Sequence, residues 1–356
     1  MSITEVEFQA HGAEEGQEAA GPVEGRSQWQ LTWRRLRSDR VSMIALAVIA
    51  IMVILAIIAP VFAAITHHPV NTSYPNQGEN AFGNPVGLFT NGFWLGTDSV
   101  GRDLFVRILY GARISLFVGV VTTAIAAFLG VSIGLIAGYF GGVVDTVLAR
   151  LTDAVLAFPY VVLALALAEA FGPSLTIILI VITFFSWAGI ARIVRGQTLA
   201  IREKEYIEAA RSLGAGPFRI MFYDILPNLL APVLVVATLY IPNAIVFEAT
   251  LSFLGLGIQP PTPSWGNMLA DAENFYQVAW WYLVFPALFL LITTLAFNLL
   301  GDGIRDAMDP RTERLIAARR MRKGRDRRRK AAAAKAAAAN AANAANGGAA
   351  ANGAGK

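Results

Sequence analysis

The sequence predicts an all-α integral membrane protein of six transmembrane helices with both termini cytosolic, and three observations carry that reading. The 356 residues are 55% apolar and only 15% charged, with a mean hydropathy of +0.53, a balance that ordinary soluble domains do not show. Uncharged runs long enough to cross about 30 Å of hydrocarbon, at about 1.5 Å per helical residue, occupy 41–66, 114–144, 170–191, 225–247 and 274–301. A sixth span, 146–167, carries Arg150 and Asp153 in its first turns but is apolar from 154 to 168, and long side chains at a helix end can snorkel. With the N-terminus inside, 26 of the 29 Lys and Arg fall on cytosolic segments and only Arg102, Arg107 and Arg113 fall outside. The opposite orientation would place the basic cluster 319–330 outside, against the usual bias.

The elements follow in order. Residues 1–28 are rich in Glu, Gly and Ala and too poor in apolar side chains to form a core, so a disordered segment is expected. Because the first 25 residues are acidic and polar, and the first apolar run is far longer than a signal core, 41–66 is expected to be an uncleaved anchor. Before it, 29–40 mixes Trp29, Leu31, Trp33 and Leu36 with Arg34, Arg35, Arg37 and Arg40, as an elbow helix lying in the inner interface would. Residues 67–113 read as an external, turn-rich loop whose Asp103 caps the amphipathic run that follows. The five-helix core, 114–301, contains a polar loop at 192–225. A basic cytosolic segment, 302–330, and a low-complexity Ala/Asn/Gly tail, 331–356, complete the chain, with 319–330 suited to anionic lipid.

Several chemistries find little support. There is no cysteine, and the three histidines are His11, His67 and His68, too few for a Cys/His zinc site or a haem ligand set. The pair His67-His68 lacks a nearby third ligand and reads as interfacial. Asp98 and Asp103 around Gly101 lack the Glu that closes a calcium loop. No phosphate-binding Gly-x4-Gly-Lys-Ser/Thr loop occurs. The chain is therefore expected to be no enzyme, to bind no cofactor or metal of its own, and to have membrane lipid rather than nucleic acid as a partner.

The most informative stretch is the polar loop. Tyr206, Ile207, Ala210 and Leu213 fall at helical spacing, with Glu205, Glu208 and Arg211 opposite. Gly214 supplies the left-handed residue that ends a helix, Pro217 suits the first turn of the next, and Leu226-Pro227 opens the following span. Ala209 and Ala210 would let another surface approach the backbone, and Glu208 offers one charge for pairing. The same pattern also suits an interfacial helix packed on the protein's own spans.

Glu208-Ala209-Ala210, three residues, Gly214 and then Leu226-Pro227 resemble the EAA loop of ABC importer membrane subunits. The stretches 95–103, 111–116, 251–257, 260–266, 300–303 and 309–310 resemble the C-type, or second, permease subunit of the dipeptide/oligopeptide/nickel branch. The resemblance covers about 29–314 and departs from the general pattern at Asp224, where Ile is usual and Ile225 follows one place later. It implies a type I ABC importer-like fold in a bacterial or archaeal plasma membrane. It further implies pairing with a second homologous permease subunit, two cytosolic ATPase subunits that carry ATP and Mg, and an extracytoplasmic substrate-binding protein. In that setting Glu208, Ala209, Ala210, Gly214, Leu226 and Pro227 would transmit ATPase movement. The Gly- and Pro-rich segment after the fifth span, with Phe253, Gly255 and Gly257, would form an external gate. Glu248, an ionisable group at a span end, is a candidate for lining or gating the path. Peptides are the first substrate class, with nickel chelates and other solutes open. A self-sufficient secondary transporter or channel is the alternative; the scarcity of charges in the spans and the absence of a visible internal repeat weigh against it.

Overall fold

The computed structural model describes residues 28–308; the expectations for 1–27 and 309–356, including most of the basic segment and the whole tail, lie outside the described residues. Helix α1, Gln28–Ser38, covers most of the segment expected as an elbow, and it stops where Asp39 adopts an extended conformation. The Asp39 carboxylate accepts from Val41 and Ser42 N–H groups at the start of α2, Arg40–Thr66. The hydroxyl and N–H of Ser42 hold that carboxylate below the usual range. Arg35 ties α1 to the end of the last described helix by donating to the Ala307 carbonyl at 3.1 Å.

Helix α2 is apolar on every side, so its sequence carries no helical periodicity. Its buried stripe is distinguished by size instead: Ser42, Ala45, Ile49, Met52, Ala56 and Ala59 face the bundle, while Ile44, Ile51, Ile54 and Ile57 face outwards. Small residues at a contact between spans are what close packing in lipid requires.

Residues 67–103 form an irregular cover, held by a single helical turn, Pro75–Gly78, and isolated bridges such as Thr97 with Asp103. Helix α3 then runs from Leu104 to Phe140, about 55 Å by its length. It begins ten residues before the expected span because Arg107 and Arg113, which interrupt the hydropathy, are accommodated by partners. Arg107 is buried, with Nε 3.0 Å from Asp98 Oδ2, and Arg102 Nε donates to the same oxygen at 2.6 Å. Asp103 caps the helix by accepting from Val106 N–H, and its other oxygen lies 2.8 Å from His68 Nδ1.

The sixth span differs most from expectation. Over 146–167 there is no straight helix but two, α4, Gly142–Ala157, and α5, Tyr160–Phe171, bent by 78°. Pro159 causes the break: it excludes Phe158 from helical geometry, leaving it at φ −75°, ψ 133°, and offers no N–H to the preceding turn. Helix α6, Leu175–Arg202, starts late because Gly172 (φ 80°) and Pro173 occupy the turn before its Ser174 cap. It also runs eleven residues beyond the expected end at 191, because its terminal arginines find partners. Arg192 pairs with Asp153 at 2.6 Å, Arg195 with both oxygens of Asp145, and Arg202 donates to the Gly138 and Tyr139 carbonyls at 3.2 Å. The expected loop 192–225 is thereby shortened to its central part.

The remaining helices are α7, Glu205–Ser212, α8, Pro217–Phe253, α9, Trp265–Ala272, and α10, Trp280–Met308. Among the described residues five helices are long and apolar enough to cross a membrane, and the bent α4–α5 pair makes six if it is one span. Among the described helices α3 and α6 share the most extensive contact. Gly130, Gly134 and Gly138 line one face of α3, and a Cβ on each would stand within 3.0 Å of Ile190, Ala191 or Thr198 of α6.

Candidate functional site

The loop is built from its anchor outward. Ile207 is fully buried, in a cluster with Val194 and Ile201 of α6 and Ile220, Met221, Ile225 and Leu229 of α8. This one side chain pins α7 across the ends of two long helices. After α7, Gly214 sits at φ 82°, its N–H donating to Arg211 O at 2.9 Å, while Ala215 N–H reaches back to Ala210 O at 3.0 Å. These bonds close the helix end in a compact turn. Pro217 then starts α8.

Leu226 and Pro227 sit beside a widened π-helical turn, Ile220–Ile225, where the Leu226 N–H bonds five residues back to Met221 O. Proline in a helix clashes with the carbonyl four residues earlier and removes one donor; a wider turn makes room for the ring. Asn228 Nδ2 donates to Asp224 O at 2.7 Å, satisfying a carbonyl beside the break. The joint is thus hydrogen-bonded on both sides.

The outward face of the loop combines charge and bare hydrophobic surface. Glu208 and Ala209 are exposed and Ala210 is half-buried. Around them Leu213 is 88% exposed, Phe218 75% and Tyr223 79%, and Tyr206 and Phe222 are also exposed. Phe218 and Phe222 stack with ring centroids 6.5 Å apart. The helical spacing grouped Tyr206, Ile207, Ala210 and Leu213 on one face, yet only Ile207 is buried completely. Leu213 lies beyond the last turn of α7, next to Gly214, and so leaves the helical face. Clustered apolar side chains of this kind at the polar end of a bundle mark an interaction surface.

The other candidate residues lie at a separate place. Glu248, near the end of α8, is fully buried; Ser115 Oγ of α3 donates to its Oε2 at 3.0 Å and Ser252 Oγ to its Oε1 at 2.8 Å. Ser252 Oγ also accepts the Ile258 N–H at 3.2 Å, which draws the chain after Phe253 back over the helix end. Gly257 is packed so closely that a Cβ would stand 2.1 Å from Ser252 Oγ, and Gly255 turns at φ 77°. Phe253 remains 43% exposed. The segment is locked from beyond by Asn267, whose Nδ2 donates to the Ile258 and Thr262 carbonyls at 3.1 and 2.8 Å, and by buried Trp265, whose Nε1 donates to Ile108 O at 3.2 Å. Ser115 and Ser252 were not singled out by sequence reasoning, although each lies within a stretch that carried the resemblance. The i, i+4 spacing of Glu248 and Ser252 on one helix is a signal for that contact, whereas nothing in the sequence signals the approach of Ser115, 133 positions away. Among the described residues no group of three or more His, Asp or Glu is placed to hold a metal ion.

Two family models match the chain. Residues 130–314 match the binding-protein-dependent transport system inner membrane component, and residues 27–81 match the N-terminal transmembrane domain of oligopeptide transport permease C. The loop, Leu226-Pro227 and Glu248 all fall in the first match. The dipeptide transport system permease protein DppC of Alkalihalophilus pseudofirmus is 41% identical over 80% of this chain and 90% of its own length. The oligopeptide transport system permease protein OppC of Escherichia coli K12 is 41% identical over 81% and 93%. Among solved structures, an inward-facing form of the MetNI methionine ABC transporter aligns with a TM-score of 0.47 and 18% identity, over 57% of this chain and 96% of that one. The chain belongs to the family of binding-protein-dependent transport system inner membrane components, as a peptide-permease C subunit with several membrane spans.

Proposed function

We propose that this chain is the membrane path subunit of an ATP-driven, binding-protein-dependent importer of di- or oligopeptides, working in a bacterial or archaeal plasma membrane with both termini and the loop in the cytosol. Its companions are a second homologous permease subunit, two cytosolic ATPases that carry ATP and Mg, and an extracytoplasmic binding protein. Peptide is the substrate class because the relatives bear dipeptide and oligopeptide transport names. The observation that carries the coupling role is the exposed apolar surface around Glu208 and Ala209, on a short helix whose one buried side chain, Ile207, joins it to α6 and α8. A partner seated on Leu213, Phe218 and Tyr223 would gain by covering them. A push on α7 would then reach α8 through Ile207 and the Gly214 turn and tilt the span as a rigid body. At the far end of α8, Phe253, Gly255 and Gly257 would act as the gate, with Glu248 holding the turn through Ser252.

Because the chain lacks cysteine, a single Ala209→Cys variant gives an unambiguous cross-linking site. Co-expressed with its ATPases, that variant should cross-link to an ATPase subunit, and Glu208→Arg with Gly214→Pro should abolish substrate-stimulated hydrolysis and uptake together. Full coupling in the double variant would overturn the assignment. Ion-driven uptake by this polypeptide alone in liposomes would support the secondary-transporter reading instead.

A further inference from the structure

Helix α2 contains Pro60, which has no N–H, so the Ala56 carbonyl one turn earlier lacks its helical partner. A guanidinium from α3 supplies it. Arg113 Nε donates to Ala56 O, and its Nη2 donates to the neighbouring Ile57 O at 2.8 Å. The ring of Tyr110 lies 4.9 Å from its Cζ and covers one face. Two of its five N–H groups are thereby used. Among the described residues no carboxylate pairs with Arg113.

This cation lies toward one end of the two helices. Arg113 is nine residues into α3 and Ala56 ten residues from the last residue of α2, which places both about 14 Å from those helix ends. Beside it, α2 and α3 enclose an open groove of about 390 Å³ lined by Val53, Ile57, Phe117, Val120 and Val121. A single uncompensated cation at the edge of an apolar groove between two spans has a complement with an anionic head and an apolar tail. We propose that the α2–α3 groove is a phospholipid site, with Arg113 binding the phosphate through its remaining N–H groups and one acyl chain lying against Phe117 and Val120. A neighbouring protein helix would match the apolar wall but leave the cation without an anion.

The test is native mass spectrometry of the full-length chain in detergent, titrated with palmitoyl-oleoyl phosphatidylglycerol. The wild-type chain should retain one lipid that inorganic phosphate does not displace. Arg113→Gln, which can still donate to Ala56 O, should bind it about tenfold more weakly, the loss expected for one charge-assisted hydrogen bond. Val120→Trp fills the groove without touching a polar group and should release the lipid as well. Wild-type affinity in either variant, displacement by inorganic phosphate, or capture of a protein chain by a photo-cross-linker at Phe117 would each overturn the proposal.

Discussion

Ile207 shows how much can rest on one side chain. It lies outside the spans, where water rather than lipid is the alternative environment, so its burial against Ile220, Met221 and Ile225 is stabilised by the ordinary hydrophobic effect. Ile207→Ala removes that contact and leaves a cavity at the joint, a change that typically costs about 2–5 kcal/mol. The cost should appear locally. Hydrogen exchange of the α7 amides should accelerate while α3 and α6 amides stay protected, and α7 should lose its fixed relation to α8. Unchanged exchange across 205–212 would mean that another contact positions the loop. Glu208 gives the contrasting case: it is exposed, so reversing its charge should leave exchange unaltered and affect only what docks there.

At the scale of elements, the difference between legible and illegible features has a physical source. Caps and breakers act locally, so Asp103 as a helix cap, Gly214 as a helix end and Pro217 as a helix start could be read from residue type and spacing alone. Lengths could not, because arginines that stop a hydropathy scan are paired with carboxylates outside the apolar runs, and spacing alone does not reveal which pairs form. Arg107 with Asp98 lengthens α3 at its start, and Arg195 with Asp145 lengthens α6 at its end. Pro159 was visible, but whether a proline merely kinks a span or splits it by 78° depends on the packing around it. The contact of α3 with the end of α8 was hidden for the same reason, since Ser115 lies 133 positions from Glu248. Packing between α3 and α6 makes a direct prediction. The Gly134 Cβ position lies 2.6 Å from the Ala191 carbonyl, a backbone atom that cannot swing away. Gly134→Val should therefore separate the two helices and destabilise the protein by about 1–3 kcal/mol, read as a lower melting temperature in detergent. Gly196, with open space around its Cβ position, is the control, and Gly196→Ala should leave the melting temperature near that of the wild type. Equal melting temperatures for Gly134→Val and the wild type would show that the glycine face is not a close contact.

Orientation belongs to the whole molecule, because it is set by charge summed over the chain. The count of 26 basic residues against three favours cytosolic termini. All three residues on the minority side are engaged: Arg102 and Arg107 with Asp98, and Arg113 with the carbonyls of α2. By contrast, Arg211 and Arg219 are exposed at the loop end. The loop and the cover should consequently lie on opposite sides of the membrane, with the loop in the cytosol. Phe82 on the cover is 89% exposed and Leu213 on the loop 88%, and with no cysteine in the chain each can be replaced by a single Cys as a clean reporter. In intact cells a membrane-impermeant maleimide should modify Phe82→Cys within minutes and leave Leu213→Cys untouched until the membrane is opened. Labelling in the reverse order would place the exposed apolar loop away from any cytosolic ATPase, and the coupling role proposed for it would fall with the orientation.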